Sequence, residues 1–104
     1  MLFRSIENFA GSNAINSTIT VAGNSRIQSD ASTLTLGGGV TLGSNTLNVG
    51  GNGNVSITGA ISGLGGLTKD GSGTLTLASA NSFSGTTVIS AGTIAASASS
   101  AFNN

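Results

Sequence analysis

Residues 67–95, LTKDGSGTLTLASANSFSGTTVISAGTIA, decide the fold that this sequence predicts. Three short alternations of apolar residues with Thr or Ala, at 74–77, 86–88 and 93–95, are separated by turns that carry Gly or Asn. Alternation with a period of two is typical of strands with one buried face. Glycine supplies the positive φ angles that sharp turns need. The stretch therefore predicts one coil of a stacked β-solenoid.

The same pattern recurs through most of the chain. Alternation predicts strands at residues 18–21, 33–36, 40–42, 46–49, 55–57, 74–77, 86–88 and 93–95. In each, Leu, Ile and Val are expected on one face, and Thr, Ser and Asn on the other. Glycine clusters at 37–39, 50–54, 63–66 and 70–73 lie between them. No stretch of ten or more residues has a helical period, so we expect strands of three to five residues and almost no helix.

The spacing of equivalent strands separates a solenoid from a sandwich. The proposed equivalent core positions are Leu34, Val55, Leu75 and Ile94, which follow one another at a nearly constant interval. A repeat of about 20 residues is the size of one β-helix rung, which buries its apolar face against the next rung. Ile19 precedes Leu34 by less than this interval and is assigned to a shortened or capping coil. An antiparallel sandwich also has short strands, but it predicts no likeness between turns one rung apart.

We therefore predict an all-β protein, a parallel β-solenoid of about five short rungs of about 20 residues each. Residues 1–104 are interpreted as a single solenoid fragment, and residues 1–30 as its irregular or capping N-terminal rung. Residues 92–104 begin another coil without a polar cap, which favours a truncated chain.

Composition narrows the function classes. Gly, Ser, Thr and Asn make up more than half of the chain, which is typical of disorder. The apolar fraction of 38% and its periodic arrangement argue against disorder. Net charge is zero and the three cations are scattered, so a nucleic-acid partner is not expected. The apolar runs are too short for a membrane-spanning helix.

The N-terminal residues do not resemble a signal peptide. Arg4 and Glu7 stand where such a peptide has its apolar core. The sequence therefore predicts either a cytosolic chain or an interior segment of an exported protein whose signal lies upstream. The absence of Cys is compatible with export, because a solenoid can bury its core without disulfides.

Candidate sites for chemistry are scarce. Lys69 and Asp70 are adjacent and should point apart, so an Asp-Gly turn with a solvated Lys is the preferred interpretation. Residues 50–58 resemble a calcium-binding nonapeptide, but Val55 stands where the Asp ligand belongs. Glu7 and Asp30 have no acidic partner at a recognisable spacing. We predict no enzymatic activity, no metal site and no cofactor.

The segment 66–95 resembles the autotransporter-associated β-strand repeat, also called the passenger-associated transport repeat. It has LTK before Gly-x-Gly, then TLTL, an Asn followed by an aromatic residue and Ser-Gly, then TTV and AGT with an aliphatic residue. Phe83 replaces the usual Tyr, and Ser79 a common Gly. The residues assigned to the motif are Leu67, Thr68, Lys69, Gly71, Gly73, Thr74, Leu75, Thr76, Leu77, Asn81, Phe83, Gly85, Thr86, Thr87, Val88, Gly92, Thr93 and Ile94.

The resemblance implies a right-handed parallel β-helix in the passenger of a type V secretion protein. It implies a structural role that supports the export, folding and surface display of an adhesin-like protein. The implied partners are adjacent rungs and a C-terminal outer-membrane barrel of the same protein, and a host or glycan surface. The implied location is the cell surface, the outer membrane or the extracellular space, as part of a larger exported chain.

Ice binding is the alternative to a structural role in an exported protein, and it belongs to a different class of function. Thr18 and Thr20, Thr33 and Thr35, and Thr74 and Thr76 form T-x-T pairs, and stacked pairs of this kind can match an ice lattice. The ladder is interrupted by Asn54 and Ser56, and the rung at Ile94 offers only Thr93. Thr also fills outward strand positions without any such role. The four aromatic residues, Phe3, Phe9, Phe83 and Phe102, form no evident platform for stacking sugars.

Overall fold

The structure, a computed structural model, describes residues 2–96 and the side chains of residues 5–96. This part of the chain contains twelve strands and no helix. The strands are β1 (Leu2–Asn8), β2 (Asn13–Ile15), β3 (Ile19–Ser29), β4 (Thr33–Leu36), β5 (Val40–Thr41), β6 (Leu47–Gly50), β7 (Asn54–Ile57), β8 (Ile61–Ser62), β9 (Leu67–Lys69), β10 (Thr74–Leu77), β11 (Thr87–Ile89) and β12 (Thr93–Ala96). The predicted coil at 92–104 is described as far as Ala96, and Phe102 lies outside the described residues.

The strands stack into a parallel β-solenoid of about four turns, which confirms the predicted fold class. One sheet has the order β12-β10-β7-β4-β2 and forms the first face of the solenoid. The other has the order β11-β9-β6-β3-β5-β8, with β1 also paired to β3. The first half of β3 with β5 and β8 forms the second face, and its second half with β6, β9 and β11 forms the third.

The register of the first face confirms the proposed core positions. Leu34 pairs with Val55, Val55 with Leu75, and Leu75 with Ile94. The assignment of Ile19 to this series is wrong, because Asn13 pairs with Leu34 whereas Ile19 pairs with Val40 on the second face. Alternation marks a buried side chain but does not say which face of a coil holds it.

The core is a set of apolar columns that run along the solenoid axis. On the first face Leu34, Val55 and Leu75 form one buried column, and successive coils add one residue each. The buried apolar residues are Ile19, Val21, Ile27, Leu34, Leu36, Val40, Leu42, Leu47, Val49, Val55, Ile57, Ile61, Leu67, Leu75, Leu77 and Phe83. Each coil therefore buries its apolar face against its neighbours, as a solenoid requires.

Strand length is where the prediction fails. β3 has 11 residues and β1 has seven, both longer than the expected three to five. The single strand β3 runs through the corner between the second and third faces, so no turn separates the two pairings. The strands β1, β2, β8 and β9 were not predicted, because their alternations are short or contain polar and charged residues.

The two ends of the solenoid differ from its middle. At the β11/β12 end, Val88 is 45% exposed and Ile89 is 54% exposed. Ile94 at this end, and Ile6 and Ile15 at the β1/β2 end, are only partly buried against the core. The outermost coils therefore retain apolar surface that the inner coils bury.

Candidate functional site

The predicted motif residues occupy the last two described coils, because β11 pairs with β9 and β12 with β10. They lie on these four strands and in the segments between them. Leu75 and Leu77 are fully buried, and their neighbours Thr74 and Thr76 are half-buried on the outer side of β10. The alternation in TLTL thus places Leu in the core and Thr outside, as predicted.

Asn81 takes the place of a strand residue on the second face. It is buried, and its Oδ1 accepts a hydrogen bond of 2.8 Å from the backbone N–H of Ile61 in the preceding coil. The backbone N–H of Ser82 donates in turn to the carbonyl of Ile61, at 2.8 Å. A side-chain oxygen here satisfies a buried N–H that would otherwise lack a partner.

Phe83 is buried and aligns with a glycine of the preceding coil. The N–H of Ser84 donates to the carbonyl of Gly63 at 3.0 Å, which sets the buried Phe83 beside Gly63. Gly63 has φ of 122°, and a Cβ there would lie 2.7 Å from the backbone N of Gly43. A side chain at Gly63 would therefore collide with the backbone of the coil before it.

Lys69 is buried, which corrects the expectation of a solvated side chain. It is 2% exposed and pairs with Val49 and Ile89 in a column that faces the core. Its Nζ donates to the carbonyls of Asp70 at 2.6 Å and Gly71 at 3.3 Å. Burial lowers the pKa of Lys69 because desolvation disfavours the ammonium. The sequence itself indicates that Lys69 is buried, because alternation places Lys69 on the same face as Leu67.

Asp70 points outward and joins coils that are far apart in sequence. Arg26 donates two hydrogen bonds of 2.8 Å to its carboxylate, one from Nη1 to Oδ2 and one from Nη2 to Oδ1. Gly50 lies between them, and a Cβ there would overlap both Asp70 Oδ1 and Arg26 Nη2. The hydrogen bonds from Arg26 lower the pKa of Asp70. Nothing in the local sequence indicates this pair, because its members are 44 residues apart.

Glu7 and Asp30, which have no recognisable partner in the sequence, meet on the third face. The side-chain hydrogen bond between them raises the pKa of Glu7 and lowers that of Asp30. Gln28 Nε2 also donates to Asp30 Oδ1 at 2.6 Å, and Arg26 Nε donates to Gln28 Oε1 at 2.9 Å. These residues form one polar chain on the outer surface that links β1 to the third face.

Val88 does not point where the alternation places it. It pairs with Thr68 in an outward column, while Thr87 pairs with the buried Leu67 and Ile89 with Lys69. The expected inward Val and outward Thr are therefore reversed on β11. Pairing with β9 fixes the register of β11, and this register determines the direction of Val88 although its side chain is apolar.

The outer surface of the first face is a regular array of small side chains, most of them polar. One column contains Thr33, Asn54, Thr74 and Thr93, and the next contains Thr35, Ser56, Thr76 and Ala95. Thr18 and Thr20 do not belong to this array, because Thr20 pairs with Thr41 on the second face. Among residues 2–96 there is no surface cavity and no cluster of three or more acidic side chains arranged to hold a metal ion.

The motif geometry agrees with a comparison of the chain with protein families. Residues 67–96 match the family model of the passenger-associated-transport-repeat. This segment is similar to the passenger-associated transport repeat. In this segment, Leu75 and Leu77 continue the core columns, while Asn81 and Phe83 complete the second face. Curated protein sequences and solved structures give no significant match.

The resemblance identified from the sequence is thus confirmed for this segment. The remaining described residues extend the same solenoid on all three faces, with one register shift between Phe3 and Ser5 where β1 pairs with β3. The described part of the chain contains no helix that could span a membrane.

Proposed function

We propose that this chain is a structural β-solenoid segment of a secreted autotransporter passenger. In this role it supports the export, folding and surface display of an adhesin-like protein, and it has no enzymatic activity of its own. The observation that carries the proposal is the passenger-associated transport repeat at 67–96. The repeat is stacked in register on the preceding coil, with Leu75 over Val55 and Leu77 over Ile57.

Stacking suggests how such a segment would assist export. Each new coil gains backbone hydrogen bonds and a buried apolar row from the coil already folded, so folding can propagate from one coil to the next. A chain that folds in this way outside a membrane resists sliding back. The low charge of the chain, with three cations and three anions, also suits passage through a narrow pore.

The partners in this proposal follow from the same arrangement. Adjacent coils of a longer exported chain would contact both ends of the solenoid, and a C-terminal outer-membrane barrel of that chain would anchor it. Cell-surface or extracellular localisation follows, with a host or glycan surface as the target of the whole protein.

The test is surface display of the full-length protein with a charge placed in the repeat. Leu75→Glu and Leu77→Glu put a carboxylate into a fully buried column and should strongly reduce display, measured by antibody labelling of intact cells. Thr76→Glu, on the outer side of the same strand, is the matched control and should display normally. Normal display of both Leu variants would contradict the proposal.

Ice binding is a second candidate because the outer array on the first face is in register. Four coils align Thr33, Asn54, Thr74 and Thr93 without a bulge. Thermal hysteresis of the purified protein tests it, with Thr74→Lys as the variant that disrupts the array and Thr68→Lys on the third face as the control. Absence of hysteresis in the unaltered protein would eliminate this candidate.

A further inference from the structure

Two tripeptides of the sequence have the form Asn-x-Ser/Thr that N-linked glycosylation requires. They are residues 16–18, Asn-Ser-Thr, and residues 54–56, Asn-Val-Ser. In this pattern the side-chain amide of Asn accepts the sugar, and the glycosyltransferase recognises the hydroxyl two residues later. Short patterns of this kind also recur by chance in a chain rich in Asn, Ser and Thr. The surroundings of the two Asn residues therefore decide between them.

Asn16 lies in an exposed turn. Its tripeptide connects β2 to β3 at the corner between the first and second faces, and the backbone bends at Ser17. All three residues of the tripeptide are exposed. The hydroxyl of Thr18 donates a hydrogen bond of 3.1 Å to the carbonyl of Gly38, which holds this side chain at the surface of the same turn. A bent surface segment of this kind is accessible to a modifying enzyme.

The next coil leaves space beside the Asn16 amide. Its corner carries three successive glycines at 37–39. A Cβ on Gly38 would lie 2.3 Å from the carbonyl carbon of Ser17, so the turn packs directly on this glycine. A Cβ on Gly37 would lie 2.9 Å from Oδ1 of Asn16. The amide therefore leans over a position that has no side chain to cover it.

The corner column that contains Asn16 faces solvent in the inner coils as well. The pairing of β2 with β4, β4 with β7 and β7 with β10 aligns Asn16 with Gly37, Thr58 and Ala78. All four of these residues are exposed. A further coil stacked on β2 would extend this column along the axis and would not cover it from the side. The exposure of Asn16 is thus a property of the corner.

Asn54 is placed differently, although its side chain is also exposed. It is the first residue of β7, which pairs with β4 on one side and with β10 on the other. Its Oδ1 accepts a hydrogen bond of 2.9 Å from the backbone N–H of Thr74, and Val55 beside it is buried. The amide of Asn16 makes no such bond within the described part of the chain. An enzyme cannot enclose a tripeptide that is paired on both sides, so the folded chain protects Asn54.

We propose that Asn16 is an N-glycosylation site and that the folded solenoid selects it over Asn54. The donor is a sugar activated by a diphosphate, which is linked to a nucleotide or to a lipid. Nδ2 of Asn16 forms a bond to the anomeric carbon while the bond from that carbon to the phosphate oxygen breaks. The diphosphate leaves with the electron pair, and the amide nitrogen gives one proton to a base of the glycosyltransferase. This modification is additional to the structural role proposed above.

Peptide mass spectrometry of the protein isolated from the cells that produce it tests the assignment. Trypsin cleaves after Arg4, Arg26 and Lys69, so the two tripeptides fall into separate peptides, 5–26 and 27–69. Peptide 5–26 should carry a glycan that fragmentation places on Asn16, and peptide 27–69 should be unmodified. A single hexose would identify a nucleotide-linked donor, and a preassembled oligosaccharide a lipid-linked donor. An unmodified Asn16 would overturn the proposal, and equal occupancy of Asn54 would contradict selection by the fold.

Variants of the tripeptide show whether its hydroxyl is recognised. Asn16→Gln and Thr18→Val should abolish the glycan on peptide 5–26, whereas Thr18→Ser keeps the hydroxyl and should retain it. Ser56→Ala, in the second tripeptide, is the matched control and should leave this glycan unchanged. Circular dichroism establishes that each variant is folded. A glycan that persists in folded Thr18→Val would contradict the proposal. Because the readout is a peptide mass, its failure is distinct from a failure of surface display.

Discussion

At the scale of single residues, the charged side chains form hydrogen bonds with backbone carbonyls or with one another. The ammonium of Lys69 is buried where two turn carbonyls need a donor, and Arg26 and Asp70 lie over a glycine that leaves them room. A buried charge is tolerated when hydrogen bonds compensate for its desolvation. These residues therefore shape the corner of the coil rather than forming an acid–base pair.

Replacement of Lys69 tests its role in the corner. Lys69→Met keeps an unbranched stem in the core but leaves the carbonyls of Asp70 and Gly71 without their donor. We expect the free energy of unfolding to fall by about 1–3 kcal/mol, and by about 2–5 kcal/mol for Lys69→Ala, which also opens a cavity. Urea unfolding measures both. Thr68→Ala on the outer side of β9 should change stability little, and an equally stable Lys69→Met would show that the hydrogen bonds contribute nothing.

The ion pair of Asp70 with Arg26 predicts a pH dependence. Because its pKa is lowered in the folded state, Asp70 contributes stability at pH values above its ordinary pKa, and this contribution is lost as the pH falls through the folded value. Asp70→Asn should cost about 0.5–1 kcal/mol near neutral pH, since the pair is partly exposed to solvent.

Unfolding of both proteins between pH 7 and pH 2 measures this difference. The two stability curves should converge at the acid end of this range. A gap that stays constant with pH would mean that the loss at neutral pH has another cause, such as changed packing around Gly50.

At the scale of one element, the segment 81–84 shows a coil completed without a regular strand. Asn81 and Phe83 occupy strand-like positions on the second face, held by hydrogen bonds to Ile61 and Gly63. The motif thus combines an amide that accepts a hydrogen bond from a backbone N–H with a buried aromatic ring. This explains physically why Asn and an aromatic residue occur together, two positions apart.

Asn81→Ala tests the amide. The substitution leaves the buried N–H of Ile61 without its acceptor, so we expect a loss of about 1–3 kcal/mol in unfolding free energy and faster hydrogen exchange at Ile61. Asn52→Ala is the control, because Asn52 is exposed and its Oδ1 accepts a 3.0 Å bond only from the hydroxyl of Ser72. Equal losses for the two variants would contradict a specific role for Asn81.

Comparison of elements shows what the sequence can reveal. Strands with strict alternation, such as β4 and β10, were predicted at their observed bounds, because period-two burial is a local property. The long strand β3 and the direction of Val88 were not predicted, since both depend on pairing with strands of a neighbouring coil. The contacts of Asp70 with Arg26 and of Glu7 with Asp30 also arise only after the coils stack.

At the scale of the whole molecule, stability should decrease from the middle coils to the ends. Among the described residues, inner coils are covered on both sides, whereas β11 and β12 pair with a neighbouring strand on one side only. In a solenoid each coil depends on its nearest neighbours, so opening is expected to begin at the uncovered end. Amide exchange should accordingly be slowest in β6 and β7 and fastest in β12.

Truncations along one column test this gradient. Leu75→Ala, in a fully buried position, should cost about 2–5 kcal/mol. Ile94→Ala, in the same column but only partly buried, should cost clearly less, about 1 kcal/mol. Urea unfolding compares the two variants. Equal costs would indicate that the β12 end is as well covered as the centre.

The pairing of Phe83 with Gly63 has a consequence for fidelity of assembly. β4 and β10 have the same sequence, TLTL, so backbone pairing and aliphatic columns alone could align a coil with the wrong neighbour. A coil shifted by one place would set the ring of Phe83 against Leu42 instead of the glycine. The large side chain of Phe83 and the glycine at position 63 thus favour the correct order of coils that are otherwise nearly identical in sequence.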